Sequence, residues 1–304
     1  MNPYDEMLAL LRRCHTEANG ERLANEMFII GNNVVRDFLR LKVGLPWVWS
    51  DAMGAFYNET DAFVYEGLAF HYSPIRIHAR AATAAKIKEL LPNGGTVLCY
   101  GDGIGFDSCE IAVANPKVHV VSFEPGRASS SFARKLIDDL ELASQIQQLS
   151  KVEELKPRGF DVLICYDVLE HVPCPMDLIQ SFTNYLKPDG NALIAEAFAH
   201  VEPTHPTHLL SNLKYACKTI SLFRKSGFSF QGMMQPKIQT FKLGTATEPS
   251  LRWNLVRQAA AGVRARLRFK YRYGSPEGAD LNWVISIKSP VFLTDKAYRC
   301  EAAA

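Results

Sequence analysis

Short apolar runs alternating with amphipathic stretches organise the middle of this 304-residue chain. Thr96–Tyr100, His119–Phe123, Gln145–Leu149 and Phe160–Asp167 read as strands, and the last is a continuous apolar run of the kind a sheet buried on both faces produces. Between them, 75–91, 106–114 and 127–142 carry helical spacing, and Asn115-Pro116 punctuates the second of these. Strands alternating with helices predict an α/β doubly wound sheet, with ligands bound at the C-terminal strand ends.

The flanks follow other patterns. Residues 3–19 and 21–42 read as two helices; in the second, Leu23, Met27, Ile30, Val34, Phe38 and Leu41 recur at steps of three and four, and Gly44 and Pro46 end it. Aromatic residues then crowd 47–72 without a clean period. A helical cap over 1–75 is expected, acting as a substrate lid with Trp47, Tyr57 and Tyr72 as contacts. The rest, 76–304, is expected to form one ligand-binding domain with an insertion at 244–262. Val263–Tyr273 alternates strictly between cationic and apolar residues, which predicts a strand with one wet face. After a turn at Gly274–Ala279, Leu281–Lys288 reads as its partner in an antiparallel β-hairpin. The cations suit either a guarded edge strand or a docking face for an acidic partner.

Composition narrows the class without naming a partner. Lys+Arg 34 against Asp+Glu 32 leaves a net charge of +2, which makes no general case for nucleic acid. Seven scattered cysteines without a C-x-x-C spacing suggest reduced thiols in a cytoplasmic protein rather than a disulfide framework or zinc site. No stretch reads as a signal peptide or a membrane span, so no membrane partner is expected.

The chemistry concentrates after the first strand, where Gly101-Asp102-Gly103-Ile104-Gly105 leads into a helix. Glycines permit positive φ and close approach of the backbone to a ligand, and a helix N-terminus favours polar or anionic groups. A dinucleotide fingerprint has G-x-G-x-x-G, whereas here Phe106 stands where the third glycine belongs. Glu124 ends the second strand, nineteen residues after Gly105. A carboxylate accepts two hydrogen bonds side by side, which matches the two adjacent hydroxyls of a ribose.

The G-x-G-x-G turn resembles motif I of the class I S-adenosylmethionine-dependent methyltransferases, and further stretches resemble that family in order. Phe160–Val172 (FDVLICYDVLEHV) is similar to its strand-four motif. Leu186–Ile194 (LKPDGNALI) is similar to its turn into strand five, and His205-Pro206-Thr207-His208-Leu209 with Gly227-Phe228 to the end of its core. The resemblance covers roughly 85–245 and implies a seven-stranded sheet with an antiparallel last strand, S-adenosyl-L-methionine as cofactor, and methyl transfer. By it, Gly101, Asp102, Gly103, Gly105, Glu124, Ser150 and Asp167 are expected to bind cofactor. Cys99 and Ser150 depart from the acidic residues the family usually has there.

Sulfonium methyl transfer is an in-line displacement that needs alignment, water exclusion and sometimes a base. Of eight histidines, His171 after strand four and His208 after strand five face the same cleft in this topology, and one of them is the expected base or substrate orienter. Asp167, Glu170 and His171 also resemble the E-x-x-E-H cluster of metal-assisted O-methyltransferases, but Asp stands at the first place and no divalent metal is expected. The expected function is methylation of a small molecule at O or N, in the manner of specialised metabolism. Competing readings are an RNA or carrier-bound substrate docked by 263–273, and a non-catalytic partner subunit. Oligomeric state is left open.

Overall fold

In a computed structural model of the chain, the described residues are 34–71, 73–234, 237–245 and 252–276. Helices predicted at 3–19 and in the first part of 21–42, together with Tyr72 and the strand 281–288, lie outside them. Three helices come first: α1 (Val34–Arg40), α2 (Asp51–Glu59) and α3 (Ala62–His71). Helix α4 (Pro74–Leu90) then leads into β1 (Gly95–Tyr100), α5 (Phe106–Ala114), β2 (Val118–Phe123), α6 (Arg127–Asp139), β3 (Ile146–Leu149) and β4 (Phe160–Tyr166). The remainder is α7 (Pro175–Tyr185), β5 (Leu186–Ala195), α8 (Thr219–Lys225), β6 (Phe228–Met234), β7 (Ile238–Leu243) and α9 (Arg252–Arg272).

The seven strands lie in the order β3-β2-β1-β4-β5-β7-β6. Pairing is parallel from β3 to β5, and β7 runs antiparallel between β5 and β6. Successive residues of a strand enter opposite cores. Leu98, Leu163 and Cys165 join Phe182, Ile220 and Phe223 on one face; Val97, Cys99, Val162 and Ile164 join Ile87, Ile111 and Phe132 on the other. A sheet covered on both faces explains the unbroken apolar run of β4. It also explains the buried Cys99 and Cys165, which sit on opposite sides of it. The order reverses between β1 and β4, which opens a crevice at the C-terminal ends of those two strands.

Helices α1 and α2 build a third, smaller core from Val34, Phe38, Met53, Phe56 and Leu209. Ser50 caps α2 by accepting from the Met53 amide. Trp47 hooks this unit to the loop after β5: its amide donates to Pro206, and its carbonyl accepts from Leu210.

The strand predicted at 263–273 is a helix, the C-terminal part of α9. The strict alternation misled because a period of two contains a period of four. Ala265, Phe269 and Tyr273 are spaced four apart and pack inward, while Val263, Leu267 and Tyr271, also four apart, face water. Ala, Arg, Leu and Gln are good helix formers, and their propensity decides between the two readings. The predicted hairpin is therefore absent among the described residues.

Gly262 seats α9 against the turn Leu210–Tyr215, because a Cβ there would lie 2.6 Å from the Ala216 carbonyl oxygen. In an exposed helix, Gly→Ala stabilises by about 1 kcal/mol. Here Gly262→Ala is expected to destabilise by about 1–3 kcal/mol through overpacking, read as a lower urea midpoint. A neutral or raised midpoint would show that α9 does not dock in this way.

Candidate active site

Three groups of side chains meet near the C-terminal ends of β1, β2, β4 and β5. The first is the glycine turn. Gly101 and Asp102 both donate their amides to the Phe123 carbonyl, at 2.8 and 3.1 Å, so the turn is tied to the end of β2. Gly101 has φ of 71°, and a Cβ there would lie 2.4 Å from a methyl of Val168. Gly103 has φ of 58° and open space within 4 Å of where its Cβ would be, which leaves its backbone face free for a ligand. Glu124 reaches over the turn, accepting from the amides of Gly103 (2.9 Å) and Gly126 (2.7 Å). Each oxygen keeps a further lone pair for a hydroxyl donor. Burial raises the Glu124 pKa, and those two amides oppose the rise.

Asp102 is used internally. Its oxygens accept from Ser122 Oγ (2.6 Å) and the Ser108 amide (3.3 Å), fastening the turn to β2 and α5. Burial pushes its pKa up to about 7. Ser150 is exposed just after β3. Cys99 lies in the core, its thiol pKa raised far above the usual range, mainly by burial.

The second group was missed in the sequence. Arg76, in the first turn of α4, donates to Asp107 on α5 at 2.5 Å. Its guanidinium lies over the rings of Phe70 and Tyr166, 5.2 and 5.0 Å from their centroids. Arg76 Nε and Asp107 Oδ1 are buried without partners. Asp107 also lines, with Gly101, Asp102 and Tyr166, a cavity of about 10 Å³, room for one water-sized group. The signal available was Pro74-Ile75-Arg76 at a helix start, an arginine placed one strand before the glycine turn.

The third group is a cluster of acids and histidines. His171 and His208 meet edge to face with ring centroids 4.6 Å apart, and His205 stacks on His208 at 4.7 Å. Tyr57 of α2 places its hydroxyl 2.9 Å from His171 Nδ1. Asn212 fixes the loop after β4, its side-chain amide donating to the carbonyls of Leu169, Glu170 and Val172. Glu170 accepts from the Ala197 amide with one oxygen, and its other oxygen is buried and unpartnered. One donor atom each from Glu170, His171 and His208 lies within 4.8 Å of the others. Asp167, at φ of 53°, adjoins this group, and its amide donates to Ala195.

Burial governs the electrostatics. It lowers the His171 pKa to about 4 against an opposing hydrogen bond to the Thr207 backbone. It holds His208 well below the usual histidine value, with His171 and His205 adding to the effect. Glu66 is pushed up to about 7, and Glu170 lies well above the usual range through burial and then the Asp167 charge. The imidazoles are thus neutral at pH 7. His208 Nδ1 lies 2.6 Å from the His200 carbonyl, which can only accept, so Nδ1 carries the proton and Nε2 keeps a lone pair.

The two expected histidines therefore meet, with Tyr57 beside them. Trp47 does not join them: it is 1% exposed, its ring packs on Phe269 and Tyr273, and its Nε1 donates to the Glu202 carbonyl.

A parallel sheet with one antiparallel strand, a glycine turn after β1 and an acid at the end of β2 define a class I methyltransferase fold. Residues 75–235 match the family described as "Methyltransferase domain", and the chain belongs to that family. It is similar to a ubiquinone biosynthesis O-methyltransferase of Xanthomonas campestris pv. campestris, 28% identical over 123 residues, covering 40% of this chain and 49% of that one. Another protein of the same name, from Neisseria meningitidis serogroup C, is 29% identical over 73 residues, covering 24% and 30%. The matches thus span about half or less of those relatives' length. Among solved structures, the mitomycin 7-O-methyltransferase MmcR is 17% identical, covering 64% of this chain and 60% of that one, with a TM-score of 0.48.

Stability against pH is a blurred readout of this site. A histidine with a lowered pKa loses stability as pH falls from about 6.5 through its folded value. Asp102 and Glu66, both raised to about 7, gain stability over much the same range because the folded state binds their protons more tightly. The His171 ring resonances separate the two effects. They are expected to titrate with a midpoint of about 4. A midpoint at the free-histidine value would show a ring open to water.

Proposed function

We propose that this chain transfers a methyl group from S-adenosyl-L-methionine to an oxygen or nitrogen of a small molecule held beneath α2 and α3. The observation that carries the reading is the His171–His208 pair with Tyr57, set at the β4 and β5 ends beside a glycine turn with a free backbone face. The name of the relatives supports oxygen as the acceptor.

The residues fit the cofactor. Glu124 offers acceptors to ribose hydroxyls, and Gly103 leaves room for a nucleoside. Arg76 and Asp107 present a cation and an anion side by side, each with an unused polar atom, which complements the zwitterion of an amino acid. The cofactor supplies a methyl already activated on a sulfonium. His208, its tautomer set by the His200 carbonyl, accepts the acceptor's proton at Nε2. His171 and Tyr57 orient the acceptor, and α2 and α3 cover it from water, Tyr57 stacking on Phe63 at 4.8 Å.

Glu170 favours a second reading. A buried carboxylate oxygen without a partner beside two neutral imidazoles is a donor set for a divalent cation, which would acidify an acceptor hydroxyl in place of a base.

Three measurements test these roles. Arg76→Lys keeps the charge beside Asp107 but loses the fork. It is expected to weaken S-adenosylhomocysteine by about tenfold or more. Methylthioadenosine, which lacks the amino acid, is expected to bind unchanged; equal loss for both would remove Arg76 from the cofactor's amino acid end. His208→Gln is expected to lower kcat by about a hundredfold or more with cofactor affinity kept, and an unchanged kcat would end its role as base. Under the second reading, EDTA abolishes activity and magnesium or manganese restores it; under the first, EDTA has no effect.

A further inference from the structure

We infer that α9 is an interfacial helix that lies on an anionic lipid bilayer. The helix Arg252–Arg272 carries seven Lys and Arg and no Asp or Glu, in a chain whose net charge is only +2. Its inward face is fixed: Gly262 abuts Ala216, Phe269 and Tyr273 pack on Trp47, and Arg268 pairs with Glu202 at 2.7 Å. The outward face is therefore fixed as well. Val263 (49% exposed), Leu267 (62%) and Tyr271 (93%) stand on successive turns there, within an arc of about 80°. Arg264 borders that arc on one side, with the Glu202-paired Arg268 behind it, and Arg266 and Lys270 border it on the other.

An apolar stripe flanked by cations on both sides has one environment that takes both. The stripe sinks into the boundary between headgroups and acyl chains, while the long cationic stems keep their charges at the phosphates. A nucleic acid would use the cations and leave the stripe in water. No described helix is long and apolar enough to cross a membrane, so the helix lies along the surface.

The test is co-sedimentation of the full chain with vesicles of phosphatidylcholine alone or with phosphatidylglycerol added, at low and high salt. Binding is expected only with phosphatidylglycerol, weakening as salt rises. Arg264→Gln with Lys270→Gln is expected to lower partitioning by about thirtyfold. Val263→Ser, Leu267→Ser and Tyr271→Ser together are expected to abolish it. All five side chains face water, so both variants should keep the wild-type melting temperature and S-adenosylhomocysteine affinity. No binding, equal binding to the uncharged vesicles, or serine substitutions without effect would overturn the inference. So would a stripe-dependent RNA gel shift or capture of an acidic protein by a chain that ignores vesicles.

Discussion

The contact between Gly101 and Val168 is the constraint on which the site depends. Adjacent parallel strands β1 and β4 deliver their loops to the same edge of the sheet. There Val168 fills the space that a Cβ on Gly101 would need. One loop leaves the backbone face of Gly103 open; the other carries Asp167, Glu170 and His171 within three residues of Val168. Because the two touch, the glycine turn and the acid–histidine cluster are set relative to each other by one piece of packing. Interiors are dense enough that neither loop can shift without moving the other. Asn212 and the Trp47 hook complete the arrangement by pinning the β4 loop and the His205–His208 loop from the far side.

Much of this was legible because local and global signals agree. Strands β1 to β4 are short runs bounded by turn residues, and they and the helices α5 and α6 follow from pattern; β5 was legible only through its motif, and α7 was not foreseen. Glu124 stood out because a carboxylate at the end of the second strand is visible from its place alone. Arg76 was not: its partners Asp107 and Tyr166 are distant in sequence, and a lone arginine at a helix start looks like any solvated cation. Trp47 was misplaced for the converse reason. An aromatic ring near a ligand-binding segment and one that bolts two loops together have the same sequence signature, and only its contacts to Phe269 and Tyr273 separate them. The C-terminal helix failed on period. Six apolar residues at alternate positions fit one face of a strand or a helix's two opposed stripes equally well, and Gly262 against Ala216 selects the second.

The buried polar groups follow a common logic. Ionised carboxylates are costly to bury, so Glu66, Glu170 and Glu196 all have raised pKa values, with burial the first cause. Histidines in the same environment become neutral, which preserves their lone pairs. A site made of proton-holding acids and proton-free bases, dry and fixed by backbone contacts, is poised to accept a proton or a cation. Arg76 and Asp107 differ because they neutralise each other. Removing either would leave the other charged in the interior, at about 3–5 kcal/mol.

The helix at the C-terminal end and the histidines share a physical connection. Arg268 and Trp47 both bind the loop at Glu202, one through the carboxylate and the other through the carbonyl, and that loop continues into His205 and His208. The outer face of α9 therefore cannot be reoriented independently of the loop that presents the candidate base. Whatever surface the cations and the apolar stripe adopt, the cleft is held at a fixed angle to it, because the same residues fasten both. In this way α9, a 21-residue helix remote from the histidines, and the loop that presents them are held in one fixed geometry.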